Sequence, residues 1–201
     1  MEQLTFYGRQ IDQRHIDRAA QVIADGGMVI YPTDTIYALG CDTLNNRAIE
    51  RLCRIKGLNP EKQLLSIVCS GISQAAEYAR IDNHTFKILK EHLPGPFTFI
   101  LQGTTKLPKV FRGRKSVGIR VPDQPVAQAL CEAVGHPILS TSVTLDDEDE
   151  LINPESIAMH YDAIADLMLM AGEGSTIPST IVDLTDVSEP EVIRQGLGEF
   201  N

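Results

Sequence analysis

The sequence predicts an α/β domain with some α+β character, built on a mixed parallel and antiparallel sheet with flanking helices. Helical and strand-like segments alternate along most of the chain, whereas two strand-like segments follow each other directly near its end. Alternation generates parallel pairs through helical crossovers, and adjacent strands generate antiparallel ones. The length of 201 residues allows one well-packed core and hardly two, so a single domain over residues 1–201 is expected.

Each element has its own signal. "RHIDRAAQVIADGG" carries Ile16, Ala19, Ala20 and Ile23 at helical spacing and stops at Gly26–Gly27. "MVIYP" follows as a strand. "NNRAIERLCRIKG" is a second helix, with Ile49, Leu52 and Cys53 on one face, Asn45 or Asn46 as cap and Gly57 as terminator. "LLSIVC" reads as a strand, and "ISQAAEYARI" and "DNHTFKILKEHL" as helices, the latter ended by Pro94–Gly95. "FTFILQ" and "SVGIRV" are strands on either side of a basic loop. "QPVAQALCEAVG" is a helix opened by Asp123 and Pro125, "PILSTSV" a strand and "NPESIAMHYDAIADL" a helix. "STIVDLT" and "PEVIRQG" close the chain as strands around a turn at Ser188–Pro190.

Composition narrows the class. Hydrophobic content of 43% with 22% charged residues is that of a soluble globular protein, and no apolar run approaches the roughly 18 residues of a membrane helix. The first residues lack the layout of a signal peptide, so a cytoplasmic location is expected. Cys41, Cys53, Cys69 and Cys131 match no zinc spacing and read as buried thiols; the histidines are scattered, and no structural metal is predicted.

The formal net charge of −9 is unevenly spread. Asp146 to Glu150 reads "DDEDE", expected as a solvated loop. Between Gly103 and Pro122, by contrast, Lys106, Lys109, Arg112, Arg114, Lys115 and Arg120 occur with no acidic residue among them. Such a basic segment is either solvated or a local positive field suited to phosphate.

No Gly-x-x-x-x-Gly-Lys, Gly-x-Gly-x-x-Gly or Gly-x-Ser-x-Gly motif is present, which removes support for P-loop, Rossmann and α/β-hydrolase chemistry. Hydroxyls at strand ends recur instead. Thr33 and Thr35 follow the first strand, Ser140, Thr141, Ser142 and Thr144 lie on or after another, and Ser179 and Thr180 open a third. Each cluster alone serves to satisfy turn backbone; three clusters beside a basic loop point to a polar-ligand pocket. Lys56, at a helix C-terminus, either complements the helix dipole or serves that pocket.

Taken in order, "VIYPTDTIYALG", "LPGPFTFIL", "VGIRVPDQP", "PSTIVDLT" and "VIRQG" resemble the successive blocks of the YrdC/YciO family, from about Gly27 to Gly196. The resemblance implies a twisted mixed sheet with one concave, positively charged face. It also implies threonylcarbamoyl-AMP synthase-like chemistry: L-threonine, bicarbonate and ATP give L-threonylcarbamoyladenylate and pyrophosphate, for modification of a tRNA adenosine. By position it implies Thr33, Thr35, Thr98, Arg120 and Ser179 at the amino-acid site. Lys56, Ser140, Ser142 and Arg194 match the nucleotide side, with Lys56 and Ser140 as catalytic candidates. Magnesium accompanies the nucleotide. The chain resembles the single-domain form of the family.

Two departures align it with the YciO branch. Lys-x-Arg reads Lys56-Gly57-Leu58, and Ser-x-Asn reads Ser140-Thr141-Ser142. Losing a guanidinium that faces polyphosphate removes roughly 2–4 kcal/mol of transition-state stabilisation if it acts there. The expectation is therefore a weakened synthase-like enzyme, with a non-catalytic tRNA- or double-stranded-RNA-binding protein as the alternative. In that alternative Lys106, Lys109, Arg112, Arg114 and Lys115 contact RNA.

Overall fold

A computed structural model describes residues 1–8, 10–59, 65–111 and 115–200. In chain order the elements begin with β1 (Glu2–Thr5), α1 (Gln13–Ala24), β2 (Met28–Tyr31), β3 (Ala38–Asp42) and α2 (Asn46–Ile55). They continue with β4 (Ser66–Val68), α3 (Ile72–Tyr78), α4 (Asn83–His92), β5 (Phe97–Gln102), β6 (Ser116–Arg120) and α5 (Pro125–Val134). Last come β7 (Ile138–Ser142), α6 (Glu148–Ile152), α7 (Pro154–Tyr161), β8 (Leu167–Met170), β9 (Thr180–Asp183) and β10 (Glu191–Arg194).

The strands form one ten-stranded sheet in the order β1-β8-β2-β3-β7-β4-β6-β5-β9-β10. The sheet is mixed, as expected: β2 pairs parallel with β8 and antiparallel with β3, and β6 parallel with β4 and antiparallel with β5. The expected helices and strands are present. Asn45 caps α2 through its side chain, accepting from the amides of Arg47 and Ala48, and Gly57 follows it with φ +61°.

Three strands and one helix correct the sequence reading. β3 replaces an expected strand exit; "ALGCD" holds no β-branched residue, and pairing on both sides by β2 and β7 supplies what propensity does not. β8 lies where the helix was expected to run to Leu167, because α7 ends at Tyr161 and "LMLM" is buried on both faces without alternation. β1 is short and half-exposed, and is held by β8. The acidic run is no loop: Asp147 caps α6, and Glu148, Asp149 and Glu150 fill its first turn, where negative charge complements the helix dipole.

The sheet has two unlike faces. On one, Met28, Ile30, Leu39, Ile67, Phe99, Ile119 and Leu139 meet α2, α3, α4 and α7 in the larger core. On the other, Val29, Tyr31, Leu167 and Leu169 pack with Ile16, Ala19 and Ile23 of α1 and with Val126, Leu130 and Cys131 of α5. Each aliphatic side chain fully buried there contributes roughly 1.5–3 kcal/mol. This second core covers only part of its face. Following the register across it from β8 to β9, the row reads Leu167, Val29, Gly40, Ser140, Ser66, Gly118, Ile100, Asp183. Four successive small residues give a helix nothing apolar to bury against, and the face stays open there.

All four cysteines are free and buried, and burial pushes the Cys41 and Cys69 thiols up to about 12. Among the described residues no helix is long and apolar enough to cross a membrane, and no group of three or more His, Cys, Asp or Glu side chains is placed to hold a metal ion.

Candidate functional site

A cleft of about 210 Å³ opens over the uncovered part of the sheet. Its polar wall is made by Ser66, Ser140 and Ser142 on one side and by Thr98, Ser179, Arg120 and Arg194 on the other. Leu52, Leu58, Leu65 and Ile181 provide apolar surface. Gly118 lies beneath: a Cβ there would meet Ser66 Oγ and stand 3.1 Å from Thr98 Cγ2, so glycine keeps the floor low.

Arg120 ends β6 with its side chain only 8% exposed. Its Nη2 donates to Asp34 Oδ1 at 2.6 Å and to Thr35 Oγ1 at 2.7 Å, with Thr33 Oγ1 at 3.4 Å. Asp34 Oδ2 accepts from the Asp123 amide, which holds the carboxylate in place. Thr33 Oγ1 donates to the Ile36 carbonyl and accepts from the Thr35 amide. Thr33 and Thr35 therefore stand behind Arg120 as its supports, and the cleft wall is formed by other residues. Burial, partly countered by Asp34, lowers the pKa of Arg120, yet a guanidinium keeps its proton. Its Nε is buried without a protein partner, a donor still owed an acceptor.

Arg194 reaches back from β10 and donates through Nε and Nη2 to the Ser179 carbonyl, at 3.2 and 2.8 Å. Burial and the positive charge of Arg120 lower its pKa. Thr98 Oγ1 and Ser179 Oγ lie 2.8 Å apart, which joins the two strand ends at the cleft wall. Among the described residues Asp34 answers one of the two guanidinium groups, and Arg194 meets only neutral oxygens. The cleft thus carries surplus positive charge at its rim, where Arg194 is exposed on β10 and open to an anion.

Of the residues expected at a site, the structure brings Thr98, Arg120, Ser140, Ser142, Ser179 and Arg194 together on the cleft. Lys56 is not among the lining residues; its Nζ donates to Thr144 Oγ1 at 2.7 Å, and burial lowers its pKa. Leu58 lines the cleft while packing against the larger core. Lys106 pairs with Glu77 at 2.7 Å. Lys115 lines a wider cavity of about 920 Å³ with Arg80, Gln102, Ser116 and Asp183, farther along the same open face. Arg112, Arg114 and the Lys109 side chain lie outside the described residues.

The sequence reading gave no role to Asp34, Ser66 or Gly118. Ser66 had a visible signal, a polar residue inside the apolar run "LLSIVC"; the pairing of Asp34 with Arg120, 86 residues apart, had none.

Comparisons with known proteins bear on the family and the fold. The Sua5/YciO/YrdC family model, described as "Telomere recombination", matches residues 21–196. The chain is 40% identical over 190 residues to the uncharacterized protein YciO of Escherichia coli, covering 93% of this chain and 91% of that one. The crystal structure of E. coli YciO superposes with a TM-score of 0.90 and covers 99% of this chain and 98% of that one. A protein named threonylcarbamoyl-AMP synthase, from Hydrogenovibrio crunogenus, is 35% identical over 173 residues, covering 83% of this chain and 91% of that one. P. abyssi Sua5, solved in complex with L-threonine, matches at 26% identity and a TM-score of 0.85, over 97% of this chain and 57% of that one. With the family model matching residues 21–196, from within α1 to just past β10, and relatives of such identity covering most of the sequence, the chain belongs to the Sua5/YciO/YrdC family.

Proposed function

We propose that the cleft binds a small amino acid and the phosphates of ATP, and that the protein is a nucleotidyltransferase of the L-threonylcarbamoyladenylate synthase type. The observation that carries this reading is the pair Arg120 and Arg194, two guanidinium groups on one cleft, of which only Arg120 is paired with a carboxylate among the described residues. Arg120 lines the cleft with Ser179 and Thr98 beside it, groups suited to a carboxylate or carbonate oxygen. Thr33, Thr35 and Asp34 serve the amino acid indirectly, by fixing that guanidinium. Arg194, Ser140 and Ser142 suit the phosphates, and Lys56 is a cation at the site's edge, free of any carboxylate partner among the described residues.

Size supports a division of the ligand. At about 210 Å³ the cleft is smaller than the roughly 300–1,000 Å³ of pockets for drug-sized ligands. It has room for threonine and bicarbonate; the nucleotide extends along the open face toward Ser116 and the wider cavity. Threonine's amine and bicarbonate form a carbamate, whose oxygen attacks the α-phosphate of ATP. Pyrophosphate leaves and water is released in the overall balance. Preorganised cations stabilise the charge that develops at the phosphate. Magnesium enters with the nucleotide, and the named relative with L-threonine bound supports the amino-acid half.

The reading extends to RNA. A product of this kind serves tRNA, and Lys115 offers a phosphate contact of the kind whose affinity falls steeply with salt. The deciding measurement is pyrophosphate release from ATP, with threonine and bicarbonate present together or singly. Release that needs both is expected. Binding of ATP without such release, also after Leu58→Arg and Ser142→Asn, leaves this family member with another substrate.

A further inference from the structure

We propose that Tyr31 is a positioning residue: its phenol reaches across the sheet over Gly40 and directs the Ser140 hydroxyl at the anionic ligand of the cleft. The inference rests on the reading of the cleft given above.

Tyr31 ends β2 and is fully buried, whereas Ser140 sits on β7, two strands away. Tyr31 Oη nevertheless lies 2.8 Å from Ser140 Oγ. The intervening strand, β3, makes this possible at one residue. Gly40 is the register partner of Ser140, and a Cβ on it would stand 2.9 Å from Tyr31 Cε1 and 2.7 Å from Ile138 Cγ2. Any other residue would push the ring off its path. The glycine in the middle of a paired strand, unfavourable by propensity, has this crossing as its reason.

Donor accounting fixes the direction of the bond. Among the described residues Ser140 Oγ is the one partner of the buried phenol, so the O–H of Tyr31 is satisfied only if it donates to Ser140. Ser140 then accepts, and its own hydrogen is left over. The acceptor that the described residues give it is the Leu39 carbonyl at 3.5 Å, too long for a good O–H···O bond. Ser140 lines the cleft, so that hydrogen is available to a ligand oxygen there. Burial also raises the phenol's pKa well above its usual value, so the donor persists as pH changes. A phosphate or carboxylate oxygen in the cleft receives a charge-assisted bond from a hydroxyl already polarised from behind.

The test is calorimetry of magnesium–ATP binding to wild type, Tyr31→Phe, Ser140→Ala and the double variant, each checked for fold by near-ultraviolet circular dichroism. Each single change is expected to weaken binding about tenfold, and the double variant to bind no worse than Ser140→Ala, because Tyr31 acts only through Ser140. Additive losses, or full affinity in Tyr31→Phe while Ser140→Ala is weakened, overturn the proposal and leave the cleft assignment standing. Full affinity in Ser140→Ala, or no binding by wild type, overturns the cleft assignment and this proposal with it. A second measurement does not depend on Tyr31→Phe folding. Adding ATP to wild type is expected to shift the tyrosine ultraviolet spectrum, and a shift of equal size in Ser140→Ala overturns the proposal.

Discussion

One face of the sheet carries two regions that differ in little except their side chains. Over β8 and β2 it presents Leu167, Leu169, Val29 and Tyr31, and α1 and α5 cover it. Past β3 along the same row it presents Ser140, Ser66 and Gly118, and it opens as the cleft. Backbone pairing is continuous across both. What differs is whether the outward residues offer enough apolar surface to hold a helix. The covered half is stabilised by burial, while the open half depends on hydrogen bonds and on one buried ion pair. It is thus the half in which polar groups remain available to a ligand.

Breaking that ion pair has the largest expected effect. Arg120→Ala leaves Asp34 buried without its cation, and loss of one partner of such a pair costs about 3–5 kcal/mol. Urea unfolding should register a loss of that size, and calorimetry should register the loss of threonine and ATP binding. A small shift with binding intact would mean that Arg120 is neither a brace nor a ligand contact.

Erasing the difference between the two halves comes next. Gly118→Val gives the open half an apolar side chain in the space above Ser66 and Thr98. Ligand binding should disappear by occlusion, at about 1–3 kcal/mol of stability from overpacking. Unchanged ATP affinity in a folded Gly118→Val protein would place the ligand elsewhere.

The smallest effect is a pH dependence, at the Lys56 ammonium that ends α2 and meets Thr144. Burial holds the Lys56 ammonium below its ordinary value of 10.5. The folded chain sheds this proton before the unfolded chain does, so its contribution to stability rises with pH in the window below 10.5. The stability of Lys56→Met relative to wild type should accordingly fall as pH increases toward that value. A pH-independent difference would show Lys56 to be no more than a solvated helix-end charge.

The sequence by itself determined the alternation of elements, the mixed sheet and the strand ends on which the hydroxyls lie, because periodicity and turn residues are local properties. It also carried the ordered blocks that mark the family, and with them Thr98, Arg120, Ser140, Ser179 and Arg194. It did not disclose β3, β8 or α6, since "ALGCD" and "LMLM" lack the strand signals that tertiary pairing overrides, and "DDEDE" looks solvated until Asp147 caps it. Only the tertiary structure decided that Thr33 and Thr35 brace Arg120 with Asp34 and that Ser66 joins the wall. It alone decided that Gly40 and Gly118 are needed for what passes over them. Those facts depend on which strands lie side by side, and register between distant segments is set by the packing of the whole sheet rather than by any one stretch of chain.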